Sequence, residues 1–257
     1  MYKKFITKQS ISLLAILLFL NAGCKKDSAD DSPDPLSSTG SIQVKVSNEV
    51  DGQAIQLGQQ IYTNSAGNLY QVDLLKYYLS NVTFIKSDST EYNLHNYELI
   101  NAAVDSTCQF SGAGIPNGIY TRMRFNLGID TTRNHTGAQD GDLDPINGMI
   151  WTWNTGYIFF KHEGLFRTTA GTDTSLLYHF GTDPVLVTVD LPLSNFEIKG
   201  NSQKIFMTFN LNQVYSNPVT VDFNGNNIRQ STSVDDRPWM SDLNTNFPQS
   251  FSIDHIE

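Results

Sequence analysis

Residues Ile119–Ile129 read IYTRMRFNLGI. Ile119, Thr121, Met123, Phe125 and Leu127 alternate with Tyr120, Arg122, Arg124 and Asn126, which is the period of a β-strand and not of a helix. Both faces carry substantial side chains, so the run reads as a central strand of a sandwich. The turn Ile115-Pro116-Asn117-Gly118 feeds it.

Outward from this strand the same period recurs. Upstream, Ile42, Val44 and Val46 alternate with Gln43, Lys45 and Ser47, and Asp51-Gly52 and Ala66-Gly67-Asn68 supply turns. Leu69–Lys86 is mixed: Val72–Leu79 also scores as helix, while Val82, Thr83, Phe84 and Ile85 argue for strand. Asp88-Ser89-Thr90 closes a hairpin into EYNLHNYELI, with His95 in the strand as a solvent-facing or hydrogen-bonded ring. Downstream, Leu176–Gly181, Val185–Leu191 and Lys204–Val214 complete the strands, and a short helix is expected around Trp239–Leu243. Short strands, frequent Gly, Asn and Asp turns and no long 3.6-residue period predict an all-β fold, an antiparallel β-sandwich or barrel-like sandwich with long loops and a short C-terminal helical turn.

Composition bounds the function. In 257 residues, 39% hydrophobic content suffices for a real core, and the formal charge of −9 repels nucleic acid and anionic membrane, so no nucleic-acid partner is expected. The N-terminus reads as a targeting device. Lys3, Lys4 and Lys8 precede an apolar run, Ile11–Leu20, and Ala22-Gly23 lead to Cys24. Residues 1–23 therefore resemble a lipoprotein signal peptide, with Cys24 as the lipidated residue; Asn21 departs from the pattern, in which a leucine is commoner. An ordinary signal peptide with an incidental cysteine is the alternative. Residues 24–40 are rich in Asp, Ser, Pro and Lys, bury too little apolar surface to order, and read as an acidic tether. Lys25, Lys26, Asp27, Asp30 and Asp31 resemble the tether charges of Bacteroidetes lipoproteins sent to the outer face of the outer membrane. The β domain is then 41–257. With Cys24 acylated, Cys108 has no partner for a disulfide and reads as a small packed hydrophobe.

The strand at Ile119 leads into Leu127–Gly164, LGIDTTRNHTGAQDGDLDPINGMIWTWNTGYIFFKHEG. This stretch holds two of the three tryptophans, two of the five histidines and an Asp-x-Asp-x-Asp run. It reads as loop up to Met149 and as an aromatic strand from there. His135, in a polar loop, reads equally as ligand or exposed residue. His179 has Tyr178 and Phe180 on the opposite face of its strand, and reads as a site imidazole or a hydrogen-bonded core ring. His162 is expected at the rim of a strand exit, beside Lys161, and His255 is a weaker third-ligand candidate. Asp140, Asp142 and Asp144 resemble the start of a calcium loop, but Pro145 replaces the glycine such a loop needs, and a solvated acidic turn is the competing reading.

The segments IYTNSAGNLYQVDLLKYYLSNV, IPNGIYTRMRFNLGID, LDPINGMIWTWNTGYIFFKHEG, LLYHFG and FSIDHIE together resemble the MbnP-like family across nearly all of 41–257. That resemblance implies a secreted or periplasmic protein with one copper ion held by imidazoles, carried over here to His135 and His179. It also implies a di-haem cytochrome c peroxidase-like partner that oxidises a tryptophan, for which Trp151 and Trp153 are the candidates. Copper capture or storage by an envelope lipoprotein is therefore the expected function, without enzymatic activity. A metal-free adhesion or glycan-binding module, stacking sugars on the aromatic block, is the alternative. No Ser-His-Asp or paired-carboxylate spacing supports a hydrolase.

Overall fold

The computed structural model describes residues 38–151, 156–232 and 237–257. The leader, Cys24, the tether as far as residue 37, and Trp153 lie outside the described residues. In chain order the strands are β1 (Thr39–Val50), β2 (Gln53–Ala54), β3 (Gln60–Thr63), β4 (Leu69–Lys86), β5 (Glu91–Asn93), β6 (Tyr97–Asn101) and β7 (Gln109–Pro116). They continue as β8 (Gly118–Leu127), β9 (Ile158–Arg167), β10 (Asp173–Gly181), β11 (Val187–Ile198), β12 (Ser202–Asn210), β13 (Ile228–Gln230) and β14 (Phe251–Ile256). Among the described residues three short α-helices join them: α1 (Thr131–Asn134), α2 (Leu211–Val214) and α3 (Arg237–Asn246).

Two sheets stack as a sandwich. The smaller runs β14-β12-β1-β2, with β7 also on β1; the larger runs β11-β8-β4-β9-β10-β13, with β3, β5 and β6 also on β4. The expected sandwich is present, but its sheets are mixed: β1 with β12 and β10 with β13 are parallel pairs. Val72–Leu79 lies inside one continuous strand, because the β-branched and aromatic residues around it pack on both faces. The strand at Lys204 stops at Asn210, whose side chain accepts from Asn212 N and caps α2. His95 sits in the turn between β5 and β6, exposed, at a φ of 53°.

The β8 pattern changes phase. Tyr120 is buried and Ile119 is 59% exposed, yet Met123, Phe125 and Leu127 are buried. Lys86 pairs with Tyr120 and Ile85 with Arg122, so β8 carries an extra residue at Thr121. A bulge of this kind reverses which side chains face inward, which unbroken alternation could not foresee.

Strand β4 is the organiser. β6 and β9 both pair with Lys76 and Tyr77, and therefore occupy opposite edges of β4. β6 and β8 share Leu79 and Ser80, so they too are opposite. Hence β9 and β8 lie end to end along one edge of β4, and the seam falls at Tyr78, where Gly128 N donates to Tyr78 O at 3.0 Å. The loop joining them is an insertion at this seam.

Register also sorts the side chains by face. Tyr77, Phe160 and Phe180 form one cross-strand row and Leu75, His162 and Tyr178 another, both facing the core. Tyr77 meets Phe209 at 4.6 Å between ring centroids, Phe160 meets Phe247 at 5.0 Å, and Phe125 meets Phe251 at 5.1 Å. Each such fully buried ring contributes roughly 1.5–3 kcal/mol.

His162 is therefore a core residue and not a rim residue. It is completely buried, its Nδ1 lies 2.6 Å from the Tyr215 hydroxyl, and Nε2 has no partner among the described residues. Burial pushes its pKa down to about 3. The unfolded ring takes a proton near pH 6.5 that the folded ring refuses until about pH 3, so stability is lost as pH falls through that window. We predict that the unfolding free energy, from urea titrations followed by circular dichroism, falls more steeply between about pH 6 and pH 4 in the parent than in His162→Gln. The difference in slope should approach about 1.4 kcal/mol per pH unit.

Candidate metal centre

The loop after β8 folds back over the outer face of the larger sheet. Asp130 opens it, capping α1 through Arg133 N at 3.3 Å while accepting from Asn81 Nδ2 at 3.0 Å and from the Tyr97 hydroxyl. Burial pushes the Asp130 carboxyl up, but these hydrogen bonds outweigh it and hold the group below the usual carboxylate range. Two 3-10 turns follow, Gly141–Leu143 and Pro145–Asn147. Tyr78 and Tyr157 hydroxyls donate to Asp142 O and Leu143 O at 2.8 and 2.7 Å. Lys76 and Lys161 ammonium groups donate to Asn147 O and Gly148 O at 2.9 and 3.2 Å. Those carbonyls end a helical turn, where cations are favoured.

The acidic run is built into this loop. Asp142 Oδ2 accepts from Leu99 N at 2.7 Å and Asp144 Oδ1 from Ile146 N at 2.8 Å, while Asp140 precedes the first turn without a side-chain cap. Of the three carboxylates that the sequence pattern suggested for calcium, Asp142 and Asp144 thus serve backbone N–H groups at this end of the sheet. Among the described residues after Met149, one isolated bridge joins Ile150 and Tyr157, and β9 begins only at Ile158.

Lys76, Lys161 and His179 form a cross-strand row on the outer face, opposite to the core row that holds His162. His179 is 9% exposed, and its Nε2 lies 2.8 Å from Glu163 Oε1, which Lys161 Nζ also approaches at 3.4 Å. Burial lowers the His179 pKa and the Glu163 hydrogen bond opposes this. Glu163 itself is raised by burial, then carried below its ordinary value by the hydrogen bond from His179 and the charge of Lys161.

Two residues beyond His179, Gly181 supports Trp151. An added Cβ at Gly181 would lie 2.8 Å from Trp151 Cη2 and 2.5 Å from Tyr157 O, so only glycine lets the indole lie on the strand. Trp151 is 3% exposed and its Nε1 has no hydrogen-bond partner among the described residues. It offers no open face for stacking on a sugar. Thr182 follows with φ of 82°, an uncommon conformation for a β-branched residue, and turns the chain so that Asp183 faces α1. There the carboxylate is gripped by consecutive residues: Asn134 Nδ2 reaches Oδ1 at 2.7 Å and His135 Nε2 lies 2.9 Å from Oδ2. Asn134 is 2% exposed, and its Oδ1 accepts from Tyr157 N at 2.7 Å.

Strand β10 and its exit thus hold both candidate imidazoles, His179 directly and His135 through Asp183, with Trp151 on Gly181 between those positions. The two rings make no contact with each other. His255 is not brought to them: it lies on β14 in the other sheet, stacked on Phe206 at 4.1 Å, with Nδ1 2.7 Å from Asp254. Among the described residues no group of three or more His, Cys, Asp or Glu is disposed to hold a metal ion. Two imidazoles offer nitrogen donors, which copper and zinc accept and calcium does not favour. Cys108 closes a 3-10 turn before β7, half-buried, with Asn48 Nδ2 3.4 Å from its sulfur, and burial pushes its thiol up. Sequence reading missed Glu163 and Asp183 as partners. Their signal is the strand register, which places Glu163 outward beside His179, and the dipeptide Asn134-His135, which closes on one carboxylate.

Gly181→Ala should drive the Trp151 indole out of its seat while the sandwich persists. Tryptophan emission shifted to longer wavelength, with unchanged far-UV circular dichroism, is the expected result; unchanged emission would refute this packing.

The geometry can be set beside known proteins. No curated protein sequence matches the chain. Among solved structures, MbnP from Methylosinus trichosporium is similar with a TM-score of 0.54 at 14% identity, over 84% of this chain and 98% of that one, a likeness of fold. The MbnP family model matches residues 39–234, a span that takes in His135, Trp151, Glu163, His179 and Asp183. The chain belongs to the MbnP family.

Proposed function

We propose that the protein is an envelope lipoprotein that binds a single copper ion through His135 and His179, for copper capture or storage at the cell surface. Membership of the MbnP family, the methanobactin-associated copper-related proteins, supports this reading. The observation that carries it is the pair of imidazoles at one end of β10, each backed by a carboxylate. Metal-binding histidines characteristically have such an acceptor on the nitrogen that does not meet the metal. Copper, when bound, supplies a centre that prefers nitrogen donors and can change oxidation state. The residues of this chain hold the rings and seat the Trp151 indole on Gly181, between His179 and Asp183 along the chain.

The anchor in this reading is Cys24, acylated after removal of residues 1–23, with the tether projecting the domain outward from the outer membrane. Trp151 or Trp153 is the residue a di-haem cytochrome c peroxidase-like partner would oxidise. Trp151 is suited by its buried indole, whose N–H has no partner among the described residues.

His135→Ala and His179→Ala should each weaken copper binding by an order of magnitude or more in competition with a chromophoric chelator, with the β-type circular dichroism unchanged. Equal affinity in both variants and the parent would end the copper assignment. In cells, Cys24→Ala should move the protein from the membrane to the soluble fraction; unchanged membrane partitioning would remove the lipid anchor. Intact mass of the mature protein from its own envelope, compared with the same chain made without the partner, reads whether a tryptophan is oxidised.

A further inference from the structure

We infer that Glu163 and Asp183 are positioning residues of the copper site: by holding Nε2 of His179 and of His135 they fix the tautomer of each ring and make Nδ1 the nitrogen that meets the metal. The inference rests on the copper reading above and adds which atoms bind and what selects them.

A neutral imidazole carries one N–H and one lone pair. An ionised carboxylate only accepts, so at 2.8 Å from Glu163 Oε1 and 2.9 Å from Asp183 Oδ2 the proton belongs on Nε2 of each ring. The lone pair then stands at Nδ1, and among the described residues neither Nδ1 has a hydrogen-bond partner.

Each carboxylate is itself fixed. Asp183 is tied through Asn134 to the backbone of Tyr157, and Glu163 is steadied by Lys161, whose other contact is the loop carbonyl of Gly148. Ring orientation at the surface is thereby referenced to the sheet.

The other contacting histidines lack this arrangement. Nδ1 of His162 is taken by the Tyr215 hydroxyl inside the core, and Nδ1 of His255 by the neighbouring Asp254. Only His135 and His179, among the described residues, combine a carboxylate on Nε2 with an unengaged Nδ1. Two anions behind the rings also raise their basicity toward a cation and offset part of its charge.

The test uses the mature chain labelled with ¹⁵N at its histidine rings, without metal and with Cu(I). In the metal-free protein the ring proton of His135 and His179 should appear on Nε2, and Cu(I) should shift the Nδ1 resonances of both. Glu163→Ala and Asp183→Ala should each lower Cu(I) affinity by about tenfold to a hundredfold at unchanged circular dichroism, and Glu163→Gln should recover part of the loss. A Cu(I)-dependent shift on Nε2 of either ring, or unchanged affinity in both alanine variants, overturns the inference while leaving the copper reading standing. A parent protein that binds no Cu(I) overturns both.

Discussion

Everything in the larger sheet depends on β4 remaining extended through 18 residues. At about 3.3 Å per residue such a strand reaches close to 60 Å, about three times the usual length. It must satisfy two edges over that distance, and no single neighbour here is long enough. The solution is succession: β3, β6 and β5 fill one edge, while β9 and then β8 fill the other. The change from β6 to β5 falls beside Asn81, whose φ of 53° is one that asparagine tolerates better than most residues. Asn96 bridges the discontinuity, accepting from Asn81 N through its carbonyl and from Val82 N through its side chain.

That succession accounts for the electrostatics of the outer face. Two lysines in one cross-strand row would repel, and burial with the charge of Lys161 does lower the pKa of Lys76. The loop relieves the strain by presenting the carbonyls of Asn147 and Gly148, so the ammonium groups serve as its anchors. His179 completes the row as a neutral member, and Glu163 stands beside it as the local anion.

Much of the fold was legible because period-two runs such as Ile42–Ser47 and Val187–Leu191 leave little choice of conformation, although the strand expected from Val185 begins two residues later, after a 3-10 turn. Three features were not. The phase change at Thr121 depends on an unpaired residue, which composition does not reveal. The parallel pairing of β1 with β12 joins segments more than 150 residues apart, and local alternation carries no information on partner or direction. MIWTWNTGYIFF reads as a strand throughout, yet Met149 and Trp151 pack as loop residues, because tertiary burial rewards aromatic side chains in either state. At the centre itself, His135 and His179 were visible as isolated polar rings in unexpected settings. Their carboxylate partners were hidden, because Glu163 is defined by register and Asp183 by a backbone turn at Thr182. The opposite fates of His162 and His179 follow from one residue of offset between adjacent cross-strand rows.

The abutment of β8 and β9 along one edge of β4 has an evolutionary corollary. Because the two strands already meet through the sheet, their register does not depend on the chain that joins them, which holds to the fold through contacts of its own at Asp142, Leu143 and Met149. Between those contacts its length and composition can drift without altering the register of any strand. Descendants of a common ancestor can therefore exchange the exposed parts of this excursion, gaining or losing chemistry on an unchanged platform, and divergence in sequence can run ahead of divergence in architecture.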